Sequence, residues 1–66
     1  MSPERFSMRL KALREAKGLT QEALAKRAKV SRAYLSRLEM GRHDPPLSRI
    51  RALARALGVR VERLLE

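Results

Sequence analysis

Apolar residues recur along the chain at spacings of three and four, in blocks set apart by glycine, threonine, serine or proline. Such spacing lines one face of a helix with apolar side chains, and nowhere do β-branched residues alternate as a strand requires. Five helices are predicted. The first covers 3–17 with Phe6, Leu10 and Leu13 inward, and the second 21–28 with Leu24, Ala25 and Ala28 inward. The third covers 32–40 around Leu35 and Leu38. The fourth covers 47–57 around Leu47, Ile50, Leu53, Ala54 and Leu57, and a short fifth covers 61–65. Gly18, Gly41 and Gly58 each follow a periodic segment, where a left-handed residue closes a helix. Thr20 and Ser31 precede such segments as N-caps, and Pro45-Pro46 fits only a loop or a helix start. The expected fold class is all-α, one compact five-helix domain over 1–66.

Composition narrows the chemistry. A chain of 66 residues buries only about 60% of the surface its unfolded form exposes, so its core is small. With no cysteine and a single histidine, disulfides and thiolate metal sites are excluded, and no metal or other cofactor is expected. No uncharged stretch exceeds four residues, which leaves room for neither a membrane span nor a signal peptide; a soluble, cytoplasmic chain is expected. Sixteen Lys and Arg stand against seven Asp and Glu, a net charge of +9. That excess predicts a polyanionic partner, nucleic acid before an anionic membrane. Twelve of the sixteen are arginine, whose planar fork pairs bidentately with guanine edges and phosphates.

The second and third helices are joined by only Lys29, Val30 and Ser31. So short a link favours the steep crossing of a helix-turn-helix over an antiparallel hairpin. Counting Gln21 as the first of twenty residues, apolar groups fall at the fourth, eighth, tenth, fifteenth and eighteenth places: Leu24, Ala28, Val30, Leu35 and Leu38. Ala25, at the fifth, is small enough for the third helix to come close.

With these residues in place, the chain resembles the Cro/C1-type, phage-repressor-like helix-turn-helix domain over about residues 6–65. The likeness is carried by Leu13-Arg14-Glu15-Ala16-Lys17-Gly18-Leu19-Thr20-Gln21, then Leu24-Ala25, Val30-Ser31, Leu38-Glu39-Met40-Gly41, Pro45 and Ala56-Leu57-Gly58-Val59. The resemblance implies a double-stranded-DNA-binding regulator of transcription, usually a dimer on a palindromic operator, and repression is the simplest mechanism for a bare binding domain. It implies base reading by Ser31, Arg32, Ala33, Ser36 and Arg37, and phosphate contacts from Thr20, Gln21 and Arg42. It also pairs Arg14 with Glu39. Two positions depart from the family pattern. Lys29 stands where glycine is frequent, and Met40 stands where a polar, phosphate-facing residue is common, which weakens the implied contact there.

The residues of the third helix support the same reading independently. With Leu35 and Leu38 inward, a 100° step turns Ala33, Ser36, Arg37 and Met40 outward, flanked by Arg32 and Tyr34. Arg suits guanine, Ala a thymine methyl, and Ser either partner, although arginines on a surface helix also serve solubility alone. Lys29 is expected in the left-handed region and, like Tyr34, is a candidate for a phosphate; Tyr34 suits packing on the second helix equally well. His43, beside Asp44, has no nucleophile or metal cluster near it in sequence, so it is read as a solvated loop residue and no enzymatic activity is expected. The stripe Arg49, Arg51, Arg55, Arg60 and Arg63 is read mostly as solubilising, part of it flanking DNA. Val59, Val61, Leu64 and Leu65 exceed what one short helix needs for packing and are the expected homodimer interface. A second reading, an antitoxin or other module whose main partner is a protein, stays open at this point.

Overall fold

The computed structural model describes residues 3–66, with side chains from residue 4 onward. Five helices follow in order: α1 (Pro3–Ala16), α2 (Gln21–Ala28), α3 (Arg32–Glu39), α4 (Leu47–Leu57) and α5 (Glu62–Leu65). No strand occurs among the described residues. Helix α2 packs on α3 and α4, α1 packs on α3 and α5, and α4 closes against α5, within 25 × 23 × 20 Å.

The helix ends share one local device. At the ends of α1, α2, α3 and α4 a left-handed residue (Gly18, Lys29, Gly41 and Gly58) is followed by an amide that reaches back to the helix. Leu19 N donates to Arg14 O, Val30 N to Ala25 O, Arg42 N to Arg37 O and Val59 N to Ala54 O, each within 3.1 Å. These bonds satisfy carbonyls that would otherwise lack partners, and an apolar residue at the second position usually packs back on the helix. Leu19, Val30 and Val59 do so, half-buried against the core, whereas Arg42 is exposed.

The core joins Phe6 and Leu10 of α1, Leu24, Ala25 and Ala28 of α2, and Leu35 and Leu38 of α3 to Ile50, Leu53, Ala54 and Leu57 of α4. Leu13 packs at its edge. Each large aliphatic side chain removed from water contributes about 1.5–3 kcal/mol, offset by the entropy of ordering the chain. Ser7 is the buried polar residue, and its Oγ donates to Glu4 O at 2.8 Å.

Two expectations need correction. Leu47, assigned to the core, is 50% exposed at the first position of α4, where periodicity continues but burial does not. The apolar surplus assigned to the C-terminal end is smaller than expected. Leu64 is fully buried in the chain's own core, Val59 and Val61 pack against that core, and Leu65 remains exposed at 37%. The docking of α5 on α1, where Arg9 Nε also donates to Glu66 O, accounts for the difference.

Candidate nucleic-acid interface

Helix α3 is set at a fixed angle to α2 by its two ends. At the start of α2, Thr20 Oγ1 accepts from Ala23 N at 3.0 Å; at the start of α3, Ser31 Oγ accepts from Tyr34 N at 3.0 Å. Both caps use the hydroxyl as acceptor, so each retains a proton it can donate outward. Between the helices Lys29 adopts φ 59, ψ 42, a conformation that disfavours a residue with a Cβ by about 1 kcal/mol relative to glycine. Its amide and that of Val30 close α2, and the chain turns into α3 through the cap residue Ser31 alone.

A charged junction holds the other end of α3. Arg14 Nε donates to Glu39 Oε2 at 2.6 Å and its second terminal nitrogen to Oε1 at 3.1 Å, a bidentate pair. Arg14 also donates to Leu19 O at 2.7 Å, and Gln21 Nε2 donates to Glu39 Oε1 at 3.1 Å. The side chains of Arg14 and Glu39 are only 11% and 3% exposed. A carboxylate at a helix C-terminus faces the negative end of the dipole, and here three donated bonds offset that cost. The bond to Glu39 holds the Arg14 guanidinium above the ordinary arginine pKa, burial opposes it, and the charges of Glu39 and Glu15 add to the rise. The junction thus clamps α1, the start of α2 and the end of α3 together.

On the outward side of α3, Arg32, Ala33 and Arg37 are exposed, with Ser31 exposed before them and Ser36 half-buried. Among the described residues neither arginine has a hydrogen-bond or ion-pair partner. The phosphate candidates divide into two groups separated by the length of α3, about 12 Å for eight residues. Thr20, Gln21 and Arg42 lie toward its C-terminal end, where one N–H of the Gln21 amide is committed to Glu39. Lys29 and Tyr34 lie toward its N-terminal end, where they line a cleft with Val30, Ser31, Arg37 and Arg49. The Tyr34 ring packs partly on the core and sits 5.6 Å from the His43 ring, so it is both a packing residue and a wall of the cleft. The sequence reading gave Arg49 no distinct place. Its arrival beside Lys29 and Arg37 depends on the packing of α4 on α2, and the signal available in the chain was its position in the first turn of α4, the end of a helix where a cation is disfavoured.

A family model described as helix-turn-helix matches residues 10–64. The chain belongs to the helix-turn-helix family. Among its curated relatives, the immunity repressor protein of Bacillus phage phi105 is 44% identical over 57 residues, 86% of this chain and 40% of the relative. The HTH-type transcriptional regulator DdrOP3 of Deinococcus deserti is 43% identical over 58 residues, 88% of this chain and 45% of the relative. The chain therefore spans under half the length of either. Among solved structures, the restriction-modification controller protein C.AhdI from Aeromonas hydrophila superposes with a TM-score of 0.92 at 39% identity, covering 94% of both chains. Within this helix-turn-helix chain, Met40 closes α3 and is 58% exposed, which puts a thioether at a surface position beside Gly41 and Arg42.

Proposed function

We propose that the chain binds double-stranded DNA with sequence preference, as a homodimer on a palindromic operator, and represses transcription by occupying it. The observation that carries this reading is the outward side of α3: two arginines without protein partners around Ala33, on a helix fixed at both ends. In a major groove about 12 Å wide, Arg32 and Arg37 address guanine edges, Ala33 a thymine methyl, and Ser31 and Ser36 either kind of edge. The two phosphate groups then meet the backbones on either side, with Thr20, Gln21 and Arg42 at one wall and Lys29 and Tyr34 at the other. One short helix reads too few bases for an operator. Two copies reading half-sites about 34 Å apart supply the rest, with Leu65 and its neighbours Val59 and Val61 as the region of contact.

The names of the relatives, an immunity repressor and a transcriptional regulator, support the same assignment. No helix of the described residues is long and apolar enough to cross a membrane, and a DNA partner puts the chain in the cytoplasm, on the nucleoid. Selection of bound duplexes from a random pool tests the reading. The expected product is one enriched palindrome with a fixed half-site spacing and an affinity that falls steeply with salt. A pool that stays random after repeated rounds would sink it.

A further inference from the structure

Positive charge continues past the helix-turn-helix. Lys29 lines two neighbouring clefts: the one beside α3, shared with Arg37 and Arg49, and a second between α2 and α4, shared with Arg27, Arg55, Ala52 and Ala56. No carboxylate lines either. The alanines keep the floor of the second cleft low, so the cations stand above it on both banks. Arg27 and Arg55 sit in the last turns of α2 and α4, where a helix dipole welcomes a cation, and folding alone accounts for them there. Arg49 and Lys29 do not help the fold. Arg49 is in the first turn of α4, at the positive end of its dipole, and Lys29 is in a left-handed conformation that glycine takes more cheaply.

We propose that this band is a second phosphate track, on which Arg27, Arg49 and Arg55 hold the backbone of duplex DNA flanking the half-site that α3 faces. The proposal rests on the DNA-binding reading above. Duplex DNA carries one charge per about 1.7 Å of axis, so cations spread over two clefts can each meet a phosphate, whereas a compact anion would occupy one cleft and leave the other unused. Length points the same way. The domain measures 25 Å in its longest direction, or about seven base pairs at 3.4 Å each, while α3 covers only three or four. The flank therefore has duplex within reach that α3 does not read.

The test compares the wild-type chain with the triple variant Arg27→Ala, Arg49→Ala, Arg55→Ala and with the same three positions changed to lysine. Each is titrated at 50 and 200 mM salt onto the selected operator at two lengths, trimmed to the outer edges of the half-sites or extended by about one helical turn on each side. Three lost phosphate contacts lower the salt slope by about 2.7, so on the extended duplex the wild type should lose about 40-fold more affinity between the two salts than the alanine variant. On the trimmed duplex the two should coincide. The lysine variant should follow the wild type, because counterion release counts charge and not fork geometry. Arg49→Ala alone removes a dipole-disfavoured cation and leaves the fold intact; its share is about 3.5-fold. Equal salt slopes on the extended duplex would overturn the track, as would an equal loss at both lengths, which would place these arginines within the half-site. A wild-type chain with no salt-dependent affinity for either duplex would bring down the DNA-binding reading, and the track with it.

Discussion

The inner and outer sides of α3 use charge in opposite ways. On the inner side Glu39 receives bonds from Arg14 and Gln21, and the buried pair is shielded from water on nearly all sides. On the outer side Arg32 and Arg37 have no hydrogen-bond or ion-pair partner among the described residues. The inner charges are consumed in fixing where the helix lies; the outer ones remain available to a ligand that the fixed helix can meet without rearranging. A chain of net charge +9 repels itself, and only a few of its cations are spent internally. A polyanion that binds the folded state therefore also stabilises it.

The sharpest way to break the comparison is on the inner side. Glu39→Ala leaves the buried Arg14 with Leu19 O and only the exposed Glu15 carboxylate, 3.9 Å away, and should destabilise the fold by about 3–5 kcal/mol, a large part of the stability of so small a domain; thermal and urea melting measure it. The pH dependence follows from the raised pKa of Arg14. A cation whose folded pKa lies above its unfolded value contributes fully below the unfolded value and is lost only as pH rises through the folded one. The arginine contribution should therefore stay constant across the neutral range and fade only in strong alkali. On the outer side, Arg32→Ala and Arg37→Ala should leave melting unchanged and each cost about 1–3 kcal/mol of binding to the selected operator, with little loss on a scrambled one. Equal losses on both DNAs would remove these residues from base reading. Lys29→Gly lies between the two sides: it should stabilise the fold by about 1 kcal/mol by relieving the left-handed strain, while weakening DNA binding of every sequence alike. Arg42→Ala should have the smallest effect, a drop of about 0.9 in the salt slope, the same on operator and scrambled duplex, read by titration at two salt concentrations.

The helices were legible because their signals are local. The expected spans of α2 and α4 match the observed ones, and α1, α3 and α5 differ by one residue at a single end, where capping residues such as Met40 and Val61 blur the boundary. The left-handed Lys29 was legible as well, since it stands where the family turn favours glycine. Periodicity reports which way a side chain points along its own helix and nothing about whether another helix stands opposite. Leu47 follows the core spacing of α4 and is half exposed, while Leu64, on the short helix that packs on α1, is fully buried. For the same reason the arrangement of Arg49 with Lys29 and Arg37 could not be read from the chain, although the exposed face of α3 could.

The repeated ending of α1 to α4 also bears on how quickly the chain finds its fold. Each stop is written within six residues, by a left-handed residue and two returning amides, so helix lengths are set before distant parts of the chain meet. What is left is the docking of short, pre-measured cylinders joined by brief links. Topologies dominated by such local order fold in microseconds to milliseconds, because little loop-closure entropy is lost before contacts reward it. A chain of this design recovers quickly after each unfolding, which leaves its leucines little time to meet those of neighbouring copies.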